Sequence, residues 1–182
     1  MTPTMTRSPQ SLSEPDRRLV AAWAADCAER VLPLFEAERP TDPRPRAAIA
    51  RTRSFADGTL PTAVAIRDRF GGGSAALDAR APAAVAAARS AGQASAVCHM
   101  GAHALGAAAY AAAARSAEGS GSPDWGEEEI RWQLGHMSSA VRAALRTLPL
   151  LGEDRSGPLG PGLLARGYVG MAIRSLQRAI AA

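Results

Sequence analysis

The chain has 182 residues, a net charge of +4 and a sequence pI near 10.0, a length that suits one domain. Leu, Ile, Val and Phe number only 31, but 42 alanines compensate, because Ala is the strongest helix former and lets helices approach closely. Lys and Asn are absent and all 21 cationic residues are Arg, which excludes a Walker phosphate-binding lysine, a pyridoxal Schiff base and a kinase-type lysine ion pair.

Residues 1–13 are rich in Thr, Ser and Pro with no apolar run of the secretory kind, and they read as a mobile tail ahead of a single helical domain over 14–182. The first helix opens with Ser13 as cap, Pro15 in the first turn and Asp16 three residues on. Leu19, Trp23, Cys27, Val31 and Phe35 form its apolar stripe. Trp23, the largest apolar side chain there, is expected to meet the Ala-rich helix further on, and Pro33 to kink the helix or end its regular part. A second helix has Asp42 as cap, Pro43 and Pro45 in its first turn, and Gly58 as a left-handed stop after Asp57. A shorter helix starts near Thr59 and Pro61 and ends at Gly71-Gly72-Gly73, the strongest break in the chain. The fourth helix runs from Ser74 to Ser90 with a bend at Pro82, and Gly92 separates it from a fifth over Gln93–Ala117.

A loop over Glu118–Pro123 precedes a sixth helix, capped by Asp124 with Glu127 in the capping-box position. Its stripe is Ile130, Leu134, Met137, Val141, Leu145 and Leu148. A Gly/Pro-rich loop from Leu151 to Gly162 leads to a last helix with Leu164, Met171, Leu176 and Ile180 available for packing. No run of alternating β-branched residues occurs. The pattern predicts an all-α fold, a compact bundle of six or seven helices around an Ala-rich central one.

No Asp, Glu or Arg lies between Arg89 and Arg115, a stretch long enough to span a bilayer with about 20 helical residues. Ser90, Gln93, Ser95, His99 and His103 interrupt it, and Ala replaces the large aliphatics that insertion rewards. The stretch therefore reads as a buried helix of a cytoplasmic protein, with no membrane partner. Cys27 and Cys98 lack paired spacing and behave as small buried hydrophobes.

The positive charge is concentrated. Between Arg39 and Arg69 there are seven Arg against Asp42, Asp57 and Asp68. Arg44, Arg46, Arg51 and Arg53 suit an acidic partner or a small oxyanion, because guanidinium holds planar oxyanions bidentately; the other reading is a solvated face with local ion pairs. Asp42-Pro43-Arg44-Pro45-Arg46 is a rigid helix entry displaying two Arg, either an anion site at a helix N-terminus or a clamp on the first helix. His99, His103, Gly106 and Tyr110 fall on one helical face at i, i+4, i+7 and i+11. The two histidines have no third ligand or general base tied to them by a local motif, so neither metal nor cofactor is assigned. A polar His-lined surface against Asp26 or Glu29 is preferred. Cys98 and His99 are helical neighbours about 100° apart and form no dyad. The Arg cluster lacks interleaved aromatics and helix-turn-helix grammar, so nucleic acid is not expected.

The strings Trp23-Ala24-Ala25-Asp26-Cys27-Ala28-Glu29, Val31-Leu32-Pro33-Leu34-Phe35-Glu36 and Asp42-Pro43-Arg44-Pro45-Arg46-Ala47-Ala48-Ile49 resemble the start of the actinobacterial "putative immunity protein" family. Cys98 to Ala111 is similar to that family's central helix, and Leu148-Pro149 resembles its usual close. Gln93 stands where many members carry His, and Phe55 where Trp is common. The resemblance covers about Arg17 to Pro149. It implies a small Ala-rich helical protein that neutralises a toxin by binding it. The first functional expectation is therefore a non-catalytic binder that occludes a protein with an acidic face, or a paralogous subunit, using Arg44, Arg46, Arg51, Arg53, His103 and Tyr110. The alternative is a small biosynthetic enzyme, or its stabilising subunit, acting on a phosphorylated or sulfated molecule held by the Arg residues, with Asp26 or His99 as base.

Overall fold

The computed structural model describes residues 8–118, 123–152 and 167–182. Helix α1 (Glu14–Glu38) starts where expected: the Asp16 amide donates to Ser13 Oγ at 3.2 Å. Val20, Ala24, Cys27, Val31 and Phe35 are fully buried along one face. Pro33 neither ends nor interrupts the helix. Pro33 and Glu29 both lie on the exposed side, where water can satisfy the Glu29 carbonyl that proline leaves without an amide. Helix α2 (Arg44–Ala56) is entered through Asp42, whose Oδ1 accepts from the Arg44 amide at 3.1 Å, and it is left through Gly58 at φ +86°. The short α3 (Thr62–Arg67) follows.

The glycine run is not a break. Gly71–Ser74 forms a helical turn, α4, continued by a turn of 3₁₀ helix over Ala75–Leu77. Its glycines allow backbone contact. A Cβ on Gly92 would lie 2.6 Å from Gly73 Cα and 2.8 Å from Gly73 N, and one on Gly72 would lie 2.5 Å from Ala48 Cβ. Gly92 accordingly sits inside α5 (Pro82–Ala96) as a packing residue instead of separating two helices, and Pro82 is the first residue of that helix instead of a bend.

The real interruption comes later. α5 ends at Ala96 and α6 (His103–Glu118) begins at His103, so the helix expected over 93–117 is split at 97–102. The Gly101 amide donates to the Ser11 carbonyl at 2.8 Å and the Ala102 amide to the Gln10 carbonyl at 3.0 Å. These bonds draw the Gly101 and Ala102 amides away from any helical ladder. Residues 10–12, inside the segment expected as a tail, thus lie against the 97–102 link. Gln10 is fully buried, and Leu12 at φ +64° places its side chain where a Cβ on Gly101 would be.

α6 is the Ala-rich centre: Ala104, Ala107, Ala108, Ala111 and Ala112 are fully buried. It packs against α5 and α1 on one side and against α7 (Pro123–Gly135) and α9 (Gly167–Ala181) on the other. α8 (Ser139–Arg146) leans on α1 and α9. The sixth expected helix is thus two, divided where Ser138 Oγ accepts from the Val141 amide at 3.2 Å as a new cap. Trp23 is buried, and its indole N–H donates to the Gln133 carbonyl of α7 at 2.9 Å. Arg30 on α1 binds both oxygens of the buried Glu129 on α7 at 3.1 and 3.0 Å, its guanidinium stacked 3.9 Å from the Trp132 ring. In the last helix Leu176 and Ile180 are buried, but Met171 is exposed.

The described residues hold eight helices of six residues or more, against six or seven expected, and no strand. No described helix is long and apolar enough to cross a membrane. Asp124, expected as the cap, lies inside α7, which already begins at Pro123; Leu164, most of the loop expected before α7 and nearly all of that expected before α9 lie outside the described residues.

Candidate functional site

The helix entry at Asp42 is a clamp closed by charge. Arg44 donates to both Asp42 oxygens and reaches Asp78 across the α4–α5 connection. Asp42 is held below the usual carboxylate range, first by its bond from the Arg44 side chain. Arg46 is exposed and grips Glu36 through two bonds of 2.7 and 2.8 Å. Arg53 pairs with Asp26 at 2.9 Å and also with Glu29, joining α2 to α1. Three of the four Arg singled out in the sequence therefore already hold carboxylates of their own chain. Arg51 lies beside Gly71, its Nε buried without a hydrogen-bond partner.

Asp26 and Arg53 line one wall of an open cleft of about 810 Å³ between α1, the end of α2 and the start of α8. Leu19, Trp23 and Val141 supply its apolar floor, and His136 stands at the same cleft. His99 is not there, so the two groups considered as bases do not share a cavity.

His99, His103 and Tyr110 meet elsewhere. They line a second cavity of about 730 Å³ with Arg69, Phe70, Arg89 and Gln93. The split between α5 and α6 decides how they meet. His99 stands in the link and is exposed, while His103 opens α6 and is buried, so they are not neighbours along one helix as the spacing suggested. His103 Nδ1 lies 2.7 Å from Gln93 Oε1. Because an amide oxygen only accepts, Nδ1 carries the proton and Nε2 is left as an acceptor. Burial pushes His103 down to about 4, and the nearby His99 and Arg69 add to the shift. His99 is lowered too, by burial first and then by Arg69 and Arg17. Both histidines are neutral at pH 7.

Among the described residues no carboxylate lines this cavity. Among the described residues neither Arg69 nor Arg89 has an ion pair. Arg69 donates to the Ile66 carbonyl and lies 4.0 Å over the Phe70 ring; Arg89 lies 5.8 Å from the Tyr110 ring centre. The arrangement is a concave, uncompensated positive site with aromatic edges, a neutral imidazole acceptor and an amide. His103 and Tyr110 were legible in the sequence as site candidates. Arg69, Arg89 and Gln93 were not, because the turn at Gly71–Ser74 and the α5–α6 break bring them together and neither has a sequence signature.

A family model described as an Imm-5 like putative immunity protein matches residues 10–140. No curated protein matches the chain, and no solved structure does.

Proposed function

The chain belongs to the Imm-5 like family of putative immunity proteins, and from that membership we propose that it protects its cell by binding and occluding a toxin protein in the cytoplasm, without catalysis. The match over residues 10–140, which takes in α1 to α7, carries the reading. Charge and exposure support a particular contact face. Arg44, Arg46 and Arg53 are committed to carboxylates within the chain, so the Arg69–Arg89 side is the better candidate. From residue 67 to residue 89 there are four Arg against Asp68 and Asp78. Phe70 and Leu77 are 69% and 87% exposed there, the two most exposed large apolar side chains described. Aromatic and Arg residues dominate binding energy at interfaces, and a positive face steers an acidic partner toward itself.

The test is capture followed by rescue. The tagged chain is used to isolate bound protein from the native cell, and each captured protein is expressed alone in a bacterial host. A captured protein that stops growth alone and permits it when this chain is co-expressed supports the reading. If no captured protein is toxic, or if co-expression rescues none, the immunity reading is wrong.

A further inference from the structure

We propose that the cavity walled by Arg69, Arg89, Gln93, His99, His103 and Tyr110 is a binding site for a small organic acid, which presents a carboxylate or phosphate to the two guanidiniums and a ring or hydroxyl to Tyr110 and His103. This inference needs no protein partner and stands apart from the immunity reading.

Three observations carry it. The first is charge without compensation. Most other Arg residues of the 39–69 cluster bind a carboxylate of the chain. The two at this cavity bind none among the described residues, and no acidic residue lines it. Two guanidiniums on one concave wall suit an oxyanion, since each presents a planar fork of donors. Arg89 makes no hydrogen bond within the described chain, so its donors are available to a ligand.

The second is size and shape. A cavity of about 730 Å³ lies within the range of about 300–1,000 Å³ that small-molecule sites occupy. Its floor is fixed by backbone, because Gly73 and Gly92 meet there with no side chain between them. A flat patch built to meet a protein needs no such floor.

The third is a polar atom left open, without a partner, on a side chain that is otherwise buried. His103 is 7% exposed. Its Nδ1–H is spent on Gln93, and its Nε2, on the other side of the ring, has no partner among the described residues. A lone pair held in place this way accepts from a hydroxyl or a protonated phosphate oxygen. The neutral state of His103 fits the positive surroundings that an anion would relieve.

Titration calorimetry on the full chain with phenyl phosphate, benzoate and benzamide tests the proposal, alongside side-chain NMR of the histidines. Phenyl phosphate or benzoate should bind saturably below millimolar concentration and move the His103 resonances, while benzamide, neutral and of the same shape, should not bind. Arg69→Ala and Arg89→Ala should each weaken binding at least about tenfold, the worth of one charge-assisted bond, with folding checked by thermal melts. Arg46→Ala, on an exposed guanidinium outside the cavity, should leave affinity unchanged. Absence of saturable binding by either acid overturns the proposal. So does equal binding of benzamide, or a loss with Arg46→Ala as large as with Arg89→Ala, since that would mean a diffuse response to net charge.

Discussion

His103 makes the fold sensitive to protons in a window above that of the carboxylates. Its ordinary value of 6.5 falls to about 4 in the folded chain, burial being the largest cause. Above pH 6.5 both folded and unfolded chains leave it neutral. Between 6.5 and 4 the unfolded chain takes a proton that the folded chain refuses, so stability falls as pH falls and levels out below about 4. The gap corresponds to about 3 kcal/mol at most. Denaturant melts from pH 7.5 to 4.5 should show the loss, and His103→Gln should flatten the curve over that interval. Glu14, Glu38 and Asp42 are held below their usual values, so their contributions vanish only at lower pH and do not mask the effect. An unchanged slope in His103→Gln would show that the imidazole titrates freely. Glu129 is the other residue whose burial decides its importance. It is 1% exposed, and Arg30 is its cation. Arg30→Ala leaves a buried carboxylate unpaired and should cost about 3 kcal/mol in urea unfolding, whereas Arg30→Met with Glu129→Leu should recover most of it. A loss below about 1 kcal/mol for Arg30→Ala would mean that water reaches the carboxylate. The sequence gives no hint of this pair. A Glu beside an apolar stripe looks solvated until a partner 99 positions away is known.

At the scale of helices, the glycines at 72, 73 and 92 show where local reading misleads. Three consecutive glycines signal a break by propensity, since each costs about 1 kcal/mol against Ala in a helix. Here tertiary contact overrides propensity: a methyl group on Gly72 would meet Ala48 Cβ of α2 at 2.5 Å and one on Gly92 would meet the α4 backbone at Gly73, while Gly73 itself would admit one. Gly92→Ala isolates the competition. Propensity favours the alanine, but its Cβ would meet Gly73 Cα at 2.6 Å and no flexible side chain lies in between. Overpacking should win, with a net loss of about 1–3 kcal/mol and a weaker response of the neighbouring cavity to phenyl phosphate. A variant as stable as the parent would show that α4 shifts freely. By contrast, features whose cause is local were legible: the Ser13 cap, the Asp42 entry, the stop at Gly58 and the stripe of α1 from Trp23 to Phe35 appear where the residues place them, Leu19 alone of the expected stripe being exposed. The α5–α6 break was not, because nothing in Val97-Cys98-His99-Met100-Gly101-Ala102 forbids a helix. The carbonyls of Gln10 and Ser11, remote in sequence, capture the amides at Ala102 and Gly101. That same event moves His99 off the helix of His103, so His99, His103 and Tyr110 were legible as residues but not as geometry, and Arg69, Arg89 and Gln93 were not legible at all.

For the molecule as a whole, the positive charge divides into a structural part and an available part. Arg44, Arg46 and Arg53 tie α2 to its neighbours through Asp42, Asp78, Glu36, Asp26 and Glu29. Arg69, Arg80 and Arg89 form no ion pair among the described residues and are left for a partner on the side of Phe70 and Leu77. Phe70 and Leu77 decide whether this face binds, because they can be removed without touching the core. Side chains this exposed contribute within about 0.5 kcal/mol to folding. Phe70→Ala combined with Leu77→Ala should therefore melt within about 2 °C of the parent. If the face is the interface, the same pair should weaken the complex with the rescued toxin by about 2 kcal/mol, roughly 30-fold, mostly through faster dissociation. Arg89→Glu should instead slow association and reverse its salt dependence, since rim charges act on the encounter. The competing face is the cleft of about 810 Å³ floored by Leu19, which is 42% exposed. Leu19→Ala serves as the counter-variant. If Leu19→Ala releases the toxin while the Phe70 and Leu77 double variant holds it at parental affinity, the partner sits on the α1, α2 and α8 side, and the positive face serves only the small-acid cavity.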